Sequence, residues 1–392
     1  MGSGKLAEIQ GPYGPLMIPE QVVQQVWHES KFLPDRLITE SGRKLEVVNP
    51  GEWNKAEGPD FLNARLLLDG EPVDGDVEIH FNGQDWRYHG HDRDARFERV
   101  VLHVVLFPGK TKAVTSAGKI PETLVLLPHL MMDLEQCMLD FRLTRIDSSG
   151  GFPVVGLLAD FKGETMIWRL ADAAYLRWTS KVSAFQKRLS DTDWESTCHQ
   201  TLLECFGGRR NRAVFGRIAL EFPLEVMRSN RLTPEQLFKS QLGDWRLASM
   251  RPANHPRSLL SSYTQMVEES PRWPDSLRHL PVKEGTKPLD PFQTAKYRRL
   301  WLREMAENLR EKVFVRLPPG RVDTIVADMA LPILSADRGD DFYSHWYHWK
   351  PGSFPMSLAQ TLRQQSAERG LRLPLSNGLQ QGLLQLIYEE RN

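Results

Sequence analysis

The segments with the alternating pattern of β-strands are confined to the first third of this chain, and this restricts the possible folds more than any other feature. One helical pattern, which begins at Pro19, precedes them. After residue 130 the apolar positions recur at the three- and four-residue spacing of helices. The predicted strands are 45–48, 62–68, 77–81, 99–107 and 123–127. We therefore predict an α/β domain with one sheet over residues 17–130 and a mainly α-helical domain over residues 131–392.

One predicted strand identifies the centre of the sheet. Residues 100–106 are apolar at every position except His103, so we expect both faces of this strand to be covered. In the helical domain two proline-rich segments, 251–256 and 271–291, are expected to be extended. The predicted helices are 134–146, 165–190, 194–206, 212–222, 234–242, 293–312 and 358–368.

Composition and missing motifs exclude several classes of protein. With 41% hydrophobic and 26% charged residues, the 392-residue chain is expected to fold. No apolar run approaches the roughly 20 residues of a spanning helix, and no secretory signal pattern is present, so we expect no membrane association. The three cysteines lack the spacing of disulfide or zinc sites, which predicts reduced thiols and a cytoplasmic location. The sequence patterns of P-loop NTPases, Rossmann dehydrogenases, serine hydrolases and HExxH zinc hydrolases are absent.

The charge is balanced overall but not along the chain. Fifty Lys and Arg residues match fifty Asp and Glu residues, whereas residues 1–130 carry a net charge of −5 and the remainder +5. Arg177, Lys181, Arg209 and Arg210 lie in or next to predicted helices. We predict that these cations contact the phosphates of a nucleic acid, although a solvated helix face explains the same pattern equally well.

A polar block at the start of the predicted sheet carries the residues best suited to chemistry. Asp60 and Glu78 are 18 residues apart, at the beginning of one predicted strand and within the next. If these strands pair as a hairpin, the two carboxylates lie close together, and the period of two puts His80 on the same face as Glu78. Two carboxylates beside a third polar group suit Mg²⁺ or Mn²⁺, with water and a substrate phosphate as the remaining ligands.

These residues resemble the PD-(D/E)XK nuclease motif. Pro59 and Asp60 are followed by Glu78, Ile79 and His80, and histidine occupies the position where lysine is usual. The resemblance implies a restriction-endonuclease-like mixed sheet. It also implies that Asp60 and Glu78 bind the metal, that Ile79 contributes its backbone carbonyl, and that His80 orients the attacking water. An acidic residue of the first helix often joins such sites, and Glu29 is our candidate, with Glu20 as a weaker one.

Over nearly its whole length the chain is similar to a bacterial family known as domain of unknown function 2851. That family implies no substrate. The matching stretches are 49–64, 75–80, 85–86 with 89–91, 101–105, 206–207 with Asn211, 251–256 and 381–386.

Four of the eleven histidines fall within 24 residues, at His80, His89, His91 and His103. His89, His91 and His103 are predicted to contact the substrate phosphate. A zinc or manganese site that includes Asp92, or a purely structural hydrogen-bond network, explains the same cluster.

The leading functional hypothesis is a metal-dependent nuclease that hydrolyses phosphodiester bonds of DNA or RNA. The alternative is a catalytically degenerate nuclease-fold module that binds nucleic acid or a protein partner, and a structural scaffold is a third reading. A homo-oligomer is also compatible with the sequence.

Overall fold

A mixed β-sheet forms the first part of the structure. The computed structural model describes residues 6–11, 14–147, 158, 161–229, 232–247, 250, 252–283, 289–352, 356–371 and 374–389. The strands are β1 (Leu6–Gly11), β2 (Gly14–Pro19), β3 (Leu45–Asn49), β4 (Glu52–Trp53), β5 (Phe61–Leu68), β6 (Glu71–His80), β7 (Val100–Val105) and β8 (Glu122–Val125). Except for residues 12–14, the chain divides into two compact units, the first ending at Phe141 and the second beginning at Arg142.

The sheet changes from antiparallel to parallel at β6. The strand order is β3, β5, β6, β7, β8, with β4 paired to β5, while β1 and β2 form a separate ribbon. β5 and β6 are an antiparallel hairpin whose turn residues, Asp69 and Gly70, have φ of 54° and 87°. Asp-Gly favours such a turn because both residues tolerate the left-handed region. β6, β7 and β8 are parallel to one another.

Helix α1 (Glu20–His28) contacts β6. Its buried residues include Val22, Val26 and Trp27, and the Trp27 indole donates a hydrogen bond of 3.0 Å to the carbonyl oxygen of Pro50. At nine residues α1 is shorter than the four turns that its apolar spacing predicts. Gln24 of this helix contacts Asp60, the residue directly before β5.

The connection between β6 and β7 contains α2 (Asp85–Tyr88) and two 3₁₀ turns. It is anchored by Trp86, which packs with Phe97, Val100 and Ala113 in a buried cluster. β7 is buried on both faces, as its apolar run predicts. The connection therefore lies at the end of the parallel strands, where ligands commonly bind in α/β sheets.

Helices make up the second unit, and α3 (Leu134–Asp147) spans the boundary with the first. Single π-helical turns join α10 to α11, follow α11, and join α12 to α13. None of the helices in the described ranges has the combined length and apolar character needed to cross a membrane. The remaining helices are α4 (Glu164–Asp191), α5 (Trp194–Glu221), α6 (Leu224–Ser229), α7 (Pro234–Ser240), α8 (Pro256–Glu269), α9 (Trp273–Arg278), α10 (Thr294–Tyr297), α11 (Arg303–Asn308), α12 (Pro319–Ile325), α13 (Leu331–Arg338), α14 (Tyr343–His348), α15 (Met356–Glu368) and α16 (Asn377–Glu389).

The predicted fold class is confirmed, because a mixed sheet is followed by a mainly helical region. The prediction that 271–291 is extended is wrong at α9, which has Pro274 in its first turn. Proline fits there, since the first amides of a helix have no intrahelical partner. Residues 252–254 likewise form a 3₁₀ turn rather than an extended segment.

Candidate functional site

The β5–β6 hairpin brings the two predicted carboxylates together. Phe61 pairs with Val77, so Asp60, directly before β5, lies beside Glu78. The backbone amide of Asp60 donates a 3.0 Å hydrogen bond to Glu78 Oε2, and the amide of Ile79 donates a 2.9 Å bond to Asp60 Oδ2. The hairpin therefore positions each carboxylate through a backbone amide of the other strand.

Helix α1 supplies a contact to this pair that the sequence did not indicate. Gln24 Nε2 donates a 2.7 Å hydrogen bond to Asp60 Oδ1. Burial, followed by the charges of Glu78 and Glu20, raises the pKa of Asp60 well above its ordinary value. Asp60 is thus a carboxyl group that gains a proton more readily than a surface aspartate.

The structure does not bring Glu29, the predicted acidic residue of the first helix, to the carboxylate pair among the contacts that it describes. Glu29 follows the last turn of α1 and forms an ion pair of 2.6 Å with Lys31 and a hydrogen bond with Gln25. It makes no described contact with the two carboxylates of the hairpin. Glu20, at the opposite end of α1, is the helix residue whose charge acts on Asp60.

Glu78 is 5% exposed and connects the carboxylates to the histidines. Its Oε1 atom lies 3.3 Å from His80 Nε2 and 3.0 Å from His91 Nε2. Burial opposes ionisation of Glu78, but the neighbouring imidazoles of His80 and then His91 lower its pKa to about 2. Glu78 is therefore an ionised carboxylate in a buried, histidine-rich environment.

His80, the last residue of β6, is 1% exposed and has histidine neighbours at both ring nitrogens. Nδ1 lies 2.9 Å from His103 Nε2, and Nε2 lies 3.0 Å from His89 Nδ1. A side chain that orients water for attack on an external substrate needs an open nitrogen. The geometry of His80 favours membership of a histidine network over the lysine-like role.

His103 lies opposite Glu78 in the parallel pairing of β6 and β7. Its ring is fully buried, and Nδ1 has no hydrogen-bond partner among the described residues. Burial, together with the charge of His80, lowers the pKa of His103 to about 3, so the ring is neutral. The structure thus places His103 beneath His80 in the interior, whereas the prediction made it a contact of the substrate phosphate.

His89 and His91 reach the site from the connection between β6 and β7. Gly90 between them has a φ of 78°, and this left-handed turn after α2 reverses the chain so that both imidazoles face His80. His91 stacks on Phe97 with ring centroids 3.8 Å apart, whereas His89 is exposed. The site is thus buried at His80 and open to solvent at His89.

Together the three histidines form a group able to hold a metal ion. One donor atom from each of His80, His89 and His91 lies within 4.8 Å of the others. Asp92, a possible fourth ligand in the sequence, lies outside this group and pairs with Arg93 at 3.8 Å. Each of the three side chains comes from the carboxyl end of β6 or the connection that follows it.

The structure places two of the predicted phosphate contacts in buried positions of the helical unit. Lys181 is 1% exposed and binds Asp328 Oδ1 at 2.6 Å, and Arg177 is 5% exposed and donates to Gln381 Oε1. Both cations are buried because they satisfy polar groups between helices. Arg210 is exposed in α5, and the side chain of Arg209 lies outside the described part of the chain.

A mixed sheet whose parallel end carries a histidine and carboxylate cluster, followed by a helical unit, defines the class of this protein. The chain belongs to the family described as protein of unknown function (DUF2851), whose profile matches residues 20–243. This match includes the sheet and all residues of the cluster. No curated protein and no solved structure matches the chain.

Proposed function

We propose that this protein is a metal-dependent hydrolase that cleaves phosphodiester bonds of DNA or RNA. The observation that carries the proposal is the position of Glu78, which accepts the Asp60 amide through Oε2 and faces His80 and His91 through Oε1. A buried ionised carboxylate, a second carboxylate and several imidazoles at one strand end are groups that can bind a metal ion and move protons in hydrolysis. The resemblance of Pro59-Asp60 and Glu78-Ile79-His80 to the PD-(D/E)XK motif supports the same chemistry.

The carboxylates fit a divalent cation. Each oxygen of Asp60 accepts one hydrogen bond, from Gln24 or Ile79, and retains a second lone pair. We expect Asp60, Glu78 and the Ile79 carbonyl to be the oxygen ligands of Mg²⁺ or Mn²⁺. When bound, such an ion polarises the phosphate and lowers the pKa of a water molecule. Gln24 fixes the orientation of the Asp60 carboxylate, and the substrate approaches on the exposed side of His89.

One observation favours the second candidate, a degenerate nuclease-fold module that binds nucleic acid or protein without cleavage. Both nitrogens of His80 are occupied by other histidines, and the ring is 1% exposed. Such a site lacks the freely accessible cation of a motif lysine. The cytoplasmic location and a nucleic-acid or protein partner remain part of the proposal.

The test is a cleavage assay on single- and double-stranded DNA and RNA with Mg²⁺ or Mn²⁺. We expect Glu78→Gln and Asp60→Asn to lower the rate at least about 100-fold. Asp74→Asn is the matched control, because Asp74 is an exposed carboxylate on the same strand. Full cleavage by Glu78→Gln would refute the proposed site. Salt-sensitive binding of nucleic acid without turnover by the wild type would select the degenerate module.

A further inference from the structure

The three imidazoles beside Glu78 form a set of nitrogen donors that is separate from the oxygen donors of Asp60 and the Ile79 carbonyl. We propose that His80, His89 and His91 bind one transition-metal ion of the Zn²⁺ type, with Glu78 Oε1 as the neighbouring oxygen donor. The inference deepens the proposed function. The role of the ion in catalysis rests on that function, whereas the binding of the ion rests only on the donor atoms.

Three distances between the donor atoms are close to those of a four-coordinate site. His80 Nε2 lies 3.0 Å from His89 Nδ1 and 3.3 Å from Glu78 Oε1. His91 Nε2 lies 3.0 Å from the same carboxylate oxygen. In a tetrahedral site with bonds of about 2.0–2.1 Å, neighbouring donor atoms are about 3.3 Å apart. These three of the six donor pairs therefore lie within about 0.3 Å of that spacing, and the three imidazole donors all lie within 4.8 Å of one another.

An unsatisfied nitrogen points to the same ligand. His91 Nε2 is buried and makes no hydrogen bond to a described residue, although Glu78 Oε1 is 3.0 Å away. The contact is close but not aligned for a hydrogen bond. A cation beside both atoms would accept the nitrogen lone pair and neutralise the carboxylate at once. Burial of the two groups without a cation leaves the nitrogen unsatisfied.

His103 completes the arrangement as a positioning residue. A metal-bound His80 Nε2 carries no proton, so the proton of that ring lies on Nδ1, where His103 Nε2 accepts it at 2.9 Å. Metal-binding histidines usually donate their second nitrogen to such an acceptor, and loss of the acceptor weakens metal affinity 10- to 100-fold. The parallel pairing of β6 and β7 holds His103 at this position.

The donor set discriminates between metals. Imidazole nitrogen suits Zn²⁺, Fe²⁺, Co²⁺ and Ni²⁺, whereas Mg²⁺ prefers six oxygen ligands including several waters. Three nitrogens and one oxygen therefore favour a transition metal over Mg²⁺. His89 is exposed, which gives the ion an entry path.

Calorimetric titration of the full chain with Zn²⁺, Co²⁺ and Mg²⁺ tests the inference. We expect one Zn²⁺ per chain, a visible absorption band of tetrahedral Co²⁺, and much weaker binding of Mg²⁺. His89→Gln and His91→Gln should each weaken Zn²⁺ binding at least about 10-fold. His28→Gln is the matched control, because His28 is an exposed histidine of the same unit.

His103 is tested by a pair of variants. His103→Leu should weaken Zn²⁺ binding and alter the Co²⁺ spectrum, and His103→Gln, which retains an acceptor, should restore part of both. Circular dichroism of each variant checks that it is folded. Unchanged Zn²⁺ affinity in folded His89→Gln and His91→Gln, or no Zn²⁺ binding by the wild type, would overturn the inference.

The two proposals fail in different ways. Histidine-dependent Zn²⁺ binding without cleavage of any nucleic acid contradicts the hydrolase and leaves the metal site intact. Cleavage with Mg²⁺ that is unaffected by His89→Gln, in a protein that does not bind Zn²⁺, contradicts the metal site and leaves the hydrolase intact.

Discussion

The backbone amide of Asp60 donates a 3.0 Å hydrogen bond to Glu78 Oε2, which joins the open end of a hairpin whose turn lies at Asp69 and Gly70. A β-bulge interrupts the hairpin between Phe61 and Ala64. The bond lies one residue beyond the Phe61–Val77 pair, on the far side of this interruption from the turn, and extends the connection between the strands to the end of the hairpin.

We expect Glu78→Ala to lower the free energy of unfolding by about 1–3 kcal/mol, because it leaves the part-buried Asp60 amide without its acceptor. Glu78→Gln should cost less, since its amide oxygen can still accept the Asp60 bond. Urea denaturation in a chelating buffer measures both. Equal losses in the two variants would show that the Asp60 contact contributes nothing.

The local pattern of the sequence predicts the strands well but not their partners. Alternation and the flanking turns locate β3, β5 and β7 within one or two residues, because side chains on one face of a strand repeat at every second position. The separate ribbon of β1 and β2 and the two-residue β4 were not predicted, since short strands carry little periodic signal.

The contacts of the candidate site likewise include some that the sequence predicts and some that it does not. The closeness of Asp60 and Glu78 follows from a hairpin and could be predicted. The contact of His80 with His103 depends on the parallel register of β6 with β7, and that of His80 with His89 depends on the turn at Gly90. Contacts of these kinds are set by tertiary packing, which no local pattern specifies.

In the helical unit, the type of a residue does not reveal whether its side chain is buried. Arginine and lysine in a helix normally face solvent, and nothing in the sequence near Lys181 indicates Asp328, which is 147 positions away. The helices between Pro319 and His348 were also missed, because a pair of prolines and a glycine at 318–320 is typical of a loop.

Lys181 and Asp328 provide a prediction that distinguishes a structural cation from a nucleic-acid contact. Lys181→Met should lower the stability of the helical unit by roughly 3 kcal/mol, because it removes the buried ion pair between Lys181 and Asp328. The double variant Lys181→Met/Asp328→Leu should recover part of this loss. Thermal denaturation measures both variants.

The same Lys181→Met variant should bind nucleic acid with an unchanged dependence on salt concentration, because a buried cation neutralises no phosphate. Fluorescence anisotropy at several salt concentrations measures this. A smaller salt dependence in the variant than in the wild type would show that Lys181 contacts a phosphate of the nucleic acid.

Helices α4 and α16 approach so closely that one glycine permits the contact. A β-carbon added at Gly382 of α16 would lie 2.0 Å from the carbonyl oxygen of Leu170 in α4. We expect Gly382→Ala to destabilise the protein by at least about 2 kcal/mol, although alanine is the better helix former. Gly320→Ala in α12 is the control, since nothing lies within 4 Å of its added carbon, and it should be neutral or slightly stabilising. Thermal melts that show the same change for both variants would contradict the close approach.

His199 makes the helical unit sensitive to acid. Its Nε2 donates to the carbonyl oxygen of Phe222 at 2.9 Å, so Nδ1 is the acceptor for the Tyr263 hydroxyl at 2.5 Å. Burial lowers the pKa of His199 from its ordinary 6.5 to about 4, because a charged ring here loses its hydration. Between these two values the unfolded state binds more protons, so this stability is complete above pH 6.5 and is lost as the pH falls toward 4.

From pH 7 to pH 5 we expect His199 to account for a loss of roughly 2 kcal/mol in the free energy of unfolding. His199→Gln, which is less stable at pH 7, should show a correspondingly smaller loss over this interval when urea denaturation is measured at both pH values. The exposed His279 gives the matched variant, and His279→Gln should retain the full pH dependence of the wild type. If His199→Gln also retained it, the acid sensitivity would belong to other buried histidines such as His345 and His348, whose pKa values burial lowers to about 4 and about 3.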